Sequence, residues 1–381
     1  MRLTGARIAT GPRTTLRRDL TIRGRRIHFD APAEQHFDLN GFLLLPGLIN
    51  AHDHLEFNLF PRLGNRTYTN AREWAEDICR PAESPVREHL AVPKPVRLRW
   101  GGLRNLLSGV TTVAHHNPYE EDVFGARFPV RVLRRIGWAH SLDFSPDLAA
   151  RYGVTPSDWP FILHASEGTD AKAASEIDRL NELGILGPRT VLVHALAAGR
   201  REIEILRERR CSIVWCPGSN LSIYGRTLAH EVLHSGIPIA LGTDSALTSH
   251  ADLADELRTA HSLGIHPERL YRMVTTVAAS ILRLVSEEGQ IRDGAIADLI
   301  ALEDCGQTPA EALLDLQPSM VIVEGRIRLL AGGLASRTSL NRIDVEDRGT
   351  FYVDADVAAL AREASAALGP SFTLAGKRIA S

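Results

Sequence analysis

Two kinds of apolar pattern alternate along the chain. Over residues 1 to about 45, short strand-like runs at Ala6–Ala9, Leu20–Ile22, Arg26–Phe29 and Gly41–Leu45 are separated by turn residues such as Gly11-Pro12 and Gly24. Runs of this length between Gly and Pro punctuation predict strands. The same punctuation returns near the other end, at Gly294–Leu302 and Met320–Arg326. Two β-rich ends around a different middle predict a small β-sandwich built from both.

The middle alternates short continuous apolar runs (Val110–Ala114, Phe161–Leu163, Thr190–Val193, Ser212–Trp215, Pro238–Leu241) with helical stretches such as Ala171–Leu183 and Arg200–Arg209. Apolar strands alternating with helices predict a parallel sheet covered by helices. Polar residues cluster just after each strand, which places an active face at the strand C-termini of a (β/α)8 TIM-type barrel. Between His116 and Phe161 fewer than fifty residues must supply two strands. Pro129–Arg134 and Gly137–His140 are the candidates, so a distorted barrel or a missing helix between strands 3 and 4 is expected there. The resulting division is 1–45 for the first part of the sandwich, 46–285 for the barrel and 286–335 for the second part. Residues 336–381 form a C-terminal extension with a helix over about 354–368.

Composition narrows the class without changing it. The 381 residues are 44% hydrophobic and 24% charged with a formal charge of -2, ordinary values for a globular protein. That charge gives no electrostatic reason to expect nucleic acid or an anionic membrane as partner. Cys79, Cys211, Cys216 and Cys305 are widely spread without zinc-type spacing, which fits a reducing compartment. The first residues lack the apolar core of a signal peptide and no run approaches membrane-spanning length, so a cytoplasmic location is expected.

The chemistry is concentrated at strand ends. In Pro46–His54 an apolar run breaks at Pro46-Gly47, resumes at Leu48-Ile49 and ends in His52-Asp53-His54. On a strand His52 and His54 share one face and Asp53 points away, so two imidazoles can reach one divalent metal. Four more strand ends carry comparable groups: His115 and His116, His164 with Glu167 three residues on, His194, and Asp244. One buried histidine is usually a core residue. Five strand ends offering His or Asp at one topological level point to a metal centre.

These motifs resemble the amidohydrolase superfamily, and within it the branch of cytosolic aminohydrolases and chlorohydrolases. "PGLINAHDH" is similar to the first-strand motif of that branch and "GVTTVAHH" to its second strand. "LHASEG" looks like the fifth-strand His-x-x-Glu, "VLVHA" the sixth-strand histidine, "WCPGSN" the strand-seven segment and "GTDSAL" the eighth-strand aspartate; "DLADELRTA", "GAIADLIAL" and "VEGRIR" are similar to later segments. The resemblance implies that His52, His54, His164 and Asp244 ligate one divalent metal. Zinc suits three imidazoles and a carboxylate best, and Fe2+ or Mn2+ would also fit. With no lysine in a plausible fourth-strand position, a single ion is expected.

The resemblance further implies the catalytic roles. A metal lowers the pKa of its water toward neutrality and so provides a hydroxide nucleophile. Asp244 accepts the water's proton, His194 orients the hydroxide or polarises the reacting centre, and Glu167 shuttles a proton to a ring nitrogen and then to the departing amine. His140, in an Ala-His-Ser segment similar to the fourth-strand His-Ser, and His116 are candidate substrate-side residues, while His115 and His116 could equally support the ligands from behind or simply be packed. The loop after strand one adds Arg62 and Trp74 among aromatic and basic side chains that suit a flat heterocycle. The implied reaction is hydrolytic deamination of an amino-substituted purine, pyrimidine or triazine-like ring. Hydrolysis of a ring amide or another C–N bond, as in imidazolone-type relatives, is the alternative. A small molecule is the expected partner, and homo-oligomers, common among such barrels, are compatible with the sequence.

Overall fold

The computed structural model describes residues 1–29, 31–335 and 339–380. The predicted domain boundary near 335 abuts the undescribed residues 336–338, and the first and last segments also contain the undescribed residues 30 and 381.

Eight short strands form the centre: β1 (Leu48–Asp53), β2 (Val110–His115), β3 (Arg131–Val132), β4 (Gly137–Trp138), β5 (Phe161–Ala165), β6 (Thr190–His194), β7 (Ser212–Trp215) and β8 (Ile239–Leu241). Strands β1, β2 and β3 pair in parallel, as do β4 through β8 in sequence order. Asp53, the last residue of β1, and Asp244, just past β8, bridge in parallel, which brings the first strand beside the last. The result is an α/β fold with helices on the outside. As the short spacing predicts, Leu133–Ile136 joins β3 to β4 without a helix.

Side-chain alternation explains what faces inward. Ile49, Ala51, Ala114, Ile162, Val191, Val193, Val214 and Ala240 form one inner cluster, closed at one end by Ala278, Ile281 and Leu282. Their neighbours on the same strands, such as Leu48, Val113, Phe161, Leu163, Leu192 and Ile213, pack outward against the helices. The helix Ala171–Glu182 shows why the covering elements form. Asp170 caps it by accepting from Ala173 N (2.9 Å), and Ala173, Ile177 and Leu180 repeat at helical spacing on its buried face. Each fully buried Ile or Leu there contributes about 1.5–3 kcal/mol.

The two chain ends do meet. Strands Arg7–Ala9, Thr15–Arg17 and Phe42–Pro46 join Leu299–Glu303, Met320–Val323 and Arg326–Ala331 in one ten-stranded sheet. A four-stranded sheet (Arg2–Thr4, Leu20–Arg23, Arg26–His28, His36–Asp38) shares an apolar core with it through Leu3, Leu20, Ile22, Leu44, Leu299 and Ile322. The segment after 339 is richer than its predicted helix, found at Val357–Leu368. Its strands Asn341–Val345, Gly349–Val353 and Lys377–Ala380 continue the ten-stranded sheet. Those strands are too short, and too polar on their outer faces, to announce themselves as a sequence pattern.

Candidate metal centre and active site

The end of β1 is irregular, and the irregularity aims the two histidines. The pairing of β1 with β2 shifts register between Asn50 and Asp53. A bulge of this kind re-aims side chains, so Ala51 and His52, adjacent in sequence, both reach the interior side. Gly242 in the following layer leaves space for them: a Cβ there would lie 2.8 Å from His52 Cβ. Asp53 points the other way, as the alternation predicts. Its Oδ2 accepts from Asn50 Nδ2 (3.2 Å), Asn105 Nδ2 (2.8 Å) and Thr243 Oγ1 (2.9 Å), and its Oδ1 accepts from Asn58 Nδ2 (2.9 Å). Arg104 completes this network by donating to Asn58 Oδ1 and to the Ala251 carbonyl. Asp53→Ala strands several buried donors at once and is expected to cost about 3 kcal/mol or more of unfolding free energy, measured as a lowered urea midpoint.

Three further strand ends turn their side chains inward by leaving strand geometry. Ser166, His194 and Asp244 have φ of 51°, 73° and 59°. Left-handed backbone at a non-glycine residue is strained by roughly 1–2 kcal/mol, and it recurs here beside the chemistry.

The interior nitrogen and oxygen atoms converge closely. His164 Nε2 lies 3.2 Å from His52 Nε2 and 3.4 Å from His54 Nε2, and Asp244 Oδ1 is 3.6 Å and 3.7 Å from the same His52 and His54 atoms. The partners of the outer ring nitrogens assign the tautomers of two of the rings. His116 Nε2–H donates to the Ala139 carbonyl (2.9 Å), so its Nδ1 accepts from His52 Nδ1–H (3.2 Å) and His52 Nε2 is left with a lone pair. His164 Nδ1–H donates to the His140 carbonyl (2.9 Å), which frees His164 Nε2 likewise. Beyond His54, the Asn117 amide lies 3.3 Å from Nδ1 and donates to Glu56 Oε1 at 2.7 Å.

Burial lowers the pKa of His52, His54 and His164, keeping the rings neutral. Burial alone would raise the Asp244 carboxyl, but the imidazoles that face it hold it well below the usual range. Two imidazole lone pairs and a carboxylate oxygen therefore face one another with no proton between them. A cation resolves that repulsion. Four ligand atoms about 2.0–2.2 Å from a tetrahedral ion stand roughly 3.3–3.6 Å apart, and the spacing here matches.

Glu167 and His194 border the same centre. Tyr224 Oη–H donates to Glu167 Oε1 (2.8 Å), and His194 Nε2 lies 3.5 Å from that oxygen. His194 Nδ1–H donates to Asn220 Oδ1 (2.7 Å), and its buried Nε2 has no hydrogen-bond partner. Burial pushes the Glu167 carboxyl up, His194 pulls it back, and the Asp244 charge raises it again. Ser219 Oγ (2.6 Å) and Thr248 Oγ1 (3.0 Å) both donate to Asp244 Oδ2, leaving Oδ1 turned toward the histidines. Asn220 and Ser219 lie in the "WCPGSN" segment, where the motif marked the place without assigning them a role.

A cavity of about 350 Å3 opens over this cluster. Its floor includes His54, His164, Glu167 and Asp244, and its walls include Phe57, Trp74, Trp138, His140, Phe144, Leu247 and Arg151. Of the expected substrate-side residues, Trp74 and His140 line it. The other two do not line it. His116 lies beneath the cavity, behind His52, where it fixes that ring's orientation. Arg62 points away, donating to Ser222 Oγ (3.2 Å), because the Leu63 N–H is tied to the Leu247 carbonyl and turns the loop outward. Trp138, Phe144 and Arg151 gave no sequence signal, lying in the shortened region where spacing is uninformative. A larger cleft, about 460 Å3, lies elsewhere, between residues 302–319 and 348–351, and has no part of the histidine cluster in its walls.

The amidohydrolase family model matches residues 161–328, the part of the chain that carries His164, Glu167, His194 and Asp244. A 5-methylthioadenosine/S-adenosylhomocysteine deaminase of Syntrophobacter fumaroxidans is 27% identical over 338 residues, covering 73% of this chain and 76% of that one. The matched part of the chain is of amidohydrolase type. Other relatives of this chain include a 5'-deoxyadenosine deaminase of Methanobrevibacter smithii, 25% identical over 72% of this chain and 75% of that one. Its fold is shared with the atrazine chlorohydrolase of Arthrobacter aurescens complexed with zinc (TM-score 0.73, 18% identity, 96% and 99% of the two chains covered). It is also shared with an adenosine deaminase of Xanthomonas campestris with bound zinc (TM-score 0.68, 20% identity, 96% and 98% covered).

Proposed function

We propose that this amidohydrolase is a metal-dependent deaminase that hydrolyses the exocyclic C–N bond of a planar amino-heterocycle, an adenine-bearing nucleoside being the first candidate. The observation that carries the reading is a buried glutamate, Glu167, that shares the floor of an aromatic-walled cavity with His54, His164 and Asp244, beneath which His52 completes a close cluster; burial raises the Glu167 pKa. Deaminase relatives support it at the level of substrate class. In the same reading the eight central strands act as one barrel, and the two end sheets form a sandwich that supports it.

His52, His54, His164 and Asp244 would hold one divalent ion, zinc by the chemistry of the donor set. The ion, when bound, makes a water molecule acidic enough to serve as nucleophile at neutral pH. The side chains do the rest. Phe57, Trp74, Trp138 and Phe144 surround the ring and exclude solvent. Asp244 takes up the first proton of the attacking water, and Glu167 gives one proton to a ring nitrogen and one to the departing amine, the water's two protons restoring both carboxyls, so that the amine and water become ammonia and a ring carbonyl. A raised pKa suits a group that must both accept and donate near neutrality. His194, fixed by Asn220, directs its free Nε2 toward the reacting region.

The test is metal content by elemental analysis together with ammonia release over a panel of adenine nucleosides, other amino-purines, amino-pyrimidines and amino-triazines. About one metal per chain with ammonia from a panel member is the expected result. Stoichiometric metal without ammonia from any of them would replace deamination by hydrolysis of a ring amide or another C–N bond.

A further inference from the structure

Position 167 ought to face the wrong way. His164 and Glu167 are three residues apart, so on a regular strand their side chains would lie on opposite faces. Both reach one cavity because β5 ends at Ala165 and Ser166 takes φ of 51°. That turn takes the Ser166 peptide out of the regular ladder, and its groups need other partners. The Ser166 carbonyl accepts from Ala197 N (3.0 Å). The Ser166 N–H donates to Glu176 Oε2 at 2.6 Å. Glu176 projects from the second turn of the helix Ala171–Glu182 and is half-buried in a narrow cleft shared with Glu167, Asp143 and Lys172. His164 borders the same cleft, and Glu176 is not part of the substrate cavity's lining. Its carboxylate ends at the Ser166 amide, in the short stretch between the metal-side histidine and the proton carrier.

We propose that Glu176 is a positioning residue for the reaction: by accepting the Ser166 N–H it holds the left-handed turn that swings Glu167 onto the same side as His164. This rests on the deaminase reading for its kinetic consequence and on the structure alone for its geometric one. The helix thus fixes the orientation of the proton carrier from outside the strands, through one side-chain-to-backbone hydrogen bond. Loss of the bond lets the turn relax toward extended backbone and withdraws the Glu167 carboxyl from the reacting atoms. A misplacement of about 1 Å at such a group costs up to about a hundredfold in rate.

The experiment compares wild type, Glu176→Ala and Glu176→Gln by amide hydrogen exchange over residues 161–170, metal content, kcat and KM. In Glu176→Ala the Ser166 amide exchanges faster, kcat falls by about ten- to a hundredfold, KM stays within about threefold and bound metal is unchanged. In Glu176→Gln, whose amide oxygen can accept the same N–H, exchange and kcat return close to wild type. If the alanine variant does not fold, Glu176→Asp, whose shorter arm falls away from the Ser166 amide, serves in its place. Unchanged exchange at Ser166 in the alanine variant would overturn the proposal, as would unchanged kcat. So would equal loss of metal and rate in the alanine and glutamine variants. A wild type that releases no ammonia would defeat the deaminase reading instead, and the exchange comparison would still decide whether Glu176 holds the turn.

Discussion

Glu167→Gln is expected to keep its full complement of metal and to lose about a thousandfold in kcat with little change in KM. The carboxyl touches none of the four cluster atoms as a ligand would; its neighbours are Tyr224 Oη and His194 Nε2. Glutamine preserves the shape and can still accept the Tyr224 hydroxyl, so the cavity and cluster stay intact. What disappears is the ability to take up and release a proton at one point in space. The amine is a poor leaving group until it is protonated, and a glutamine amide cannot supply that proton. Metal analysis beside a steady-state assay checks the split. Turnover within a few-fold of wild type would remove Glu167 from the reaction.

Asp244→Ala is expected to bind metal sub-stoichiometrically and to be inactive, a loss in both readouts that distinguishes it from the Glu167 variant. Its Oδ1 is the anionic member of the cluster, and Oδ2 is pinned by Ser219 and Thr248. Removing it leaves three neutral imidazoles for a dication and strands two buried hydroxyls. The metal stabilises the folded chain by mass action, so the variant should also lose the rise in melting temperature that added zinc gives wild type. Retention of one tightly held metal per chain by Asp244→Ala would take Asp244 out of the ligand set.

Much of the site was legible in the sequence because strand ends impose order on chemistry. His52, His54, His164, His194 and Asp244 each follow an apolar run, and period-two alternation was enough to separate the His52–His54 pair from Asp53. What alternation missed were the places that break it. The shifted register in β1 and the left-handed residues at 166, 194 and 244 depend on tertiary partners such as Glu176, which lies a helix away from the residue it holds. For His116 the sequence left open a substrate-side place or a supporting one; it sits one layer lower, where its two ring nitrogens link His52 to the Ala139 carbonyl. Arg62 and Arg151 show the reverse difficulty. Both are arginines in long connections, and backbone hydrogen bonds of the loops, absent from any periodicity, decide that only Arg151 borders the cavity.

The origin of the cavity walls has a consequence for how such a protein changes over evolutionary time. The proton and metal chemistry is anchored on strand termini and a buried polar network. Phe57, Trp74, Phe144 and Arg151 come from connecting segments outside the strands. Drift in those segments can exchange one flat ring for another, or admit a different substituent, while the hydrolytic engine beneath them is left alone. Selection for a new nutrient or a new xenobiotic would act first on the stretches 57–75 and 138–151, and a change of diet need not become a change of chemistry.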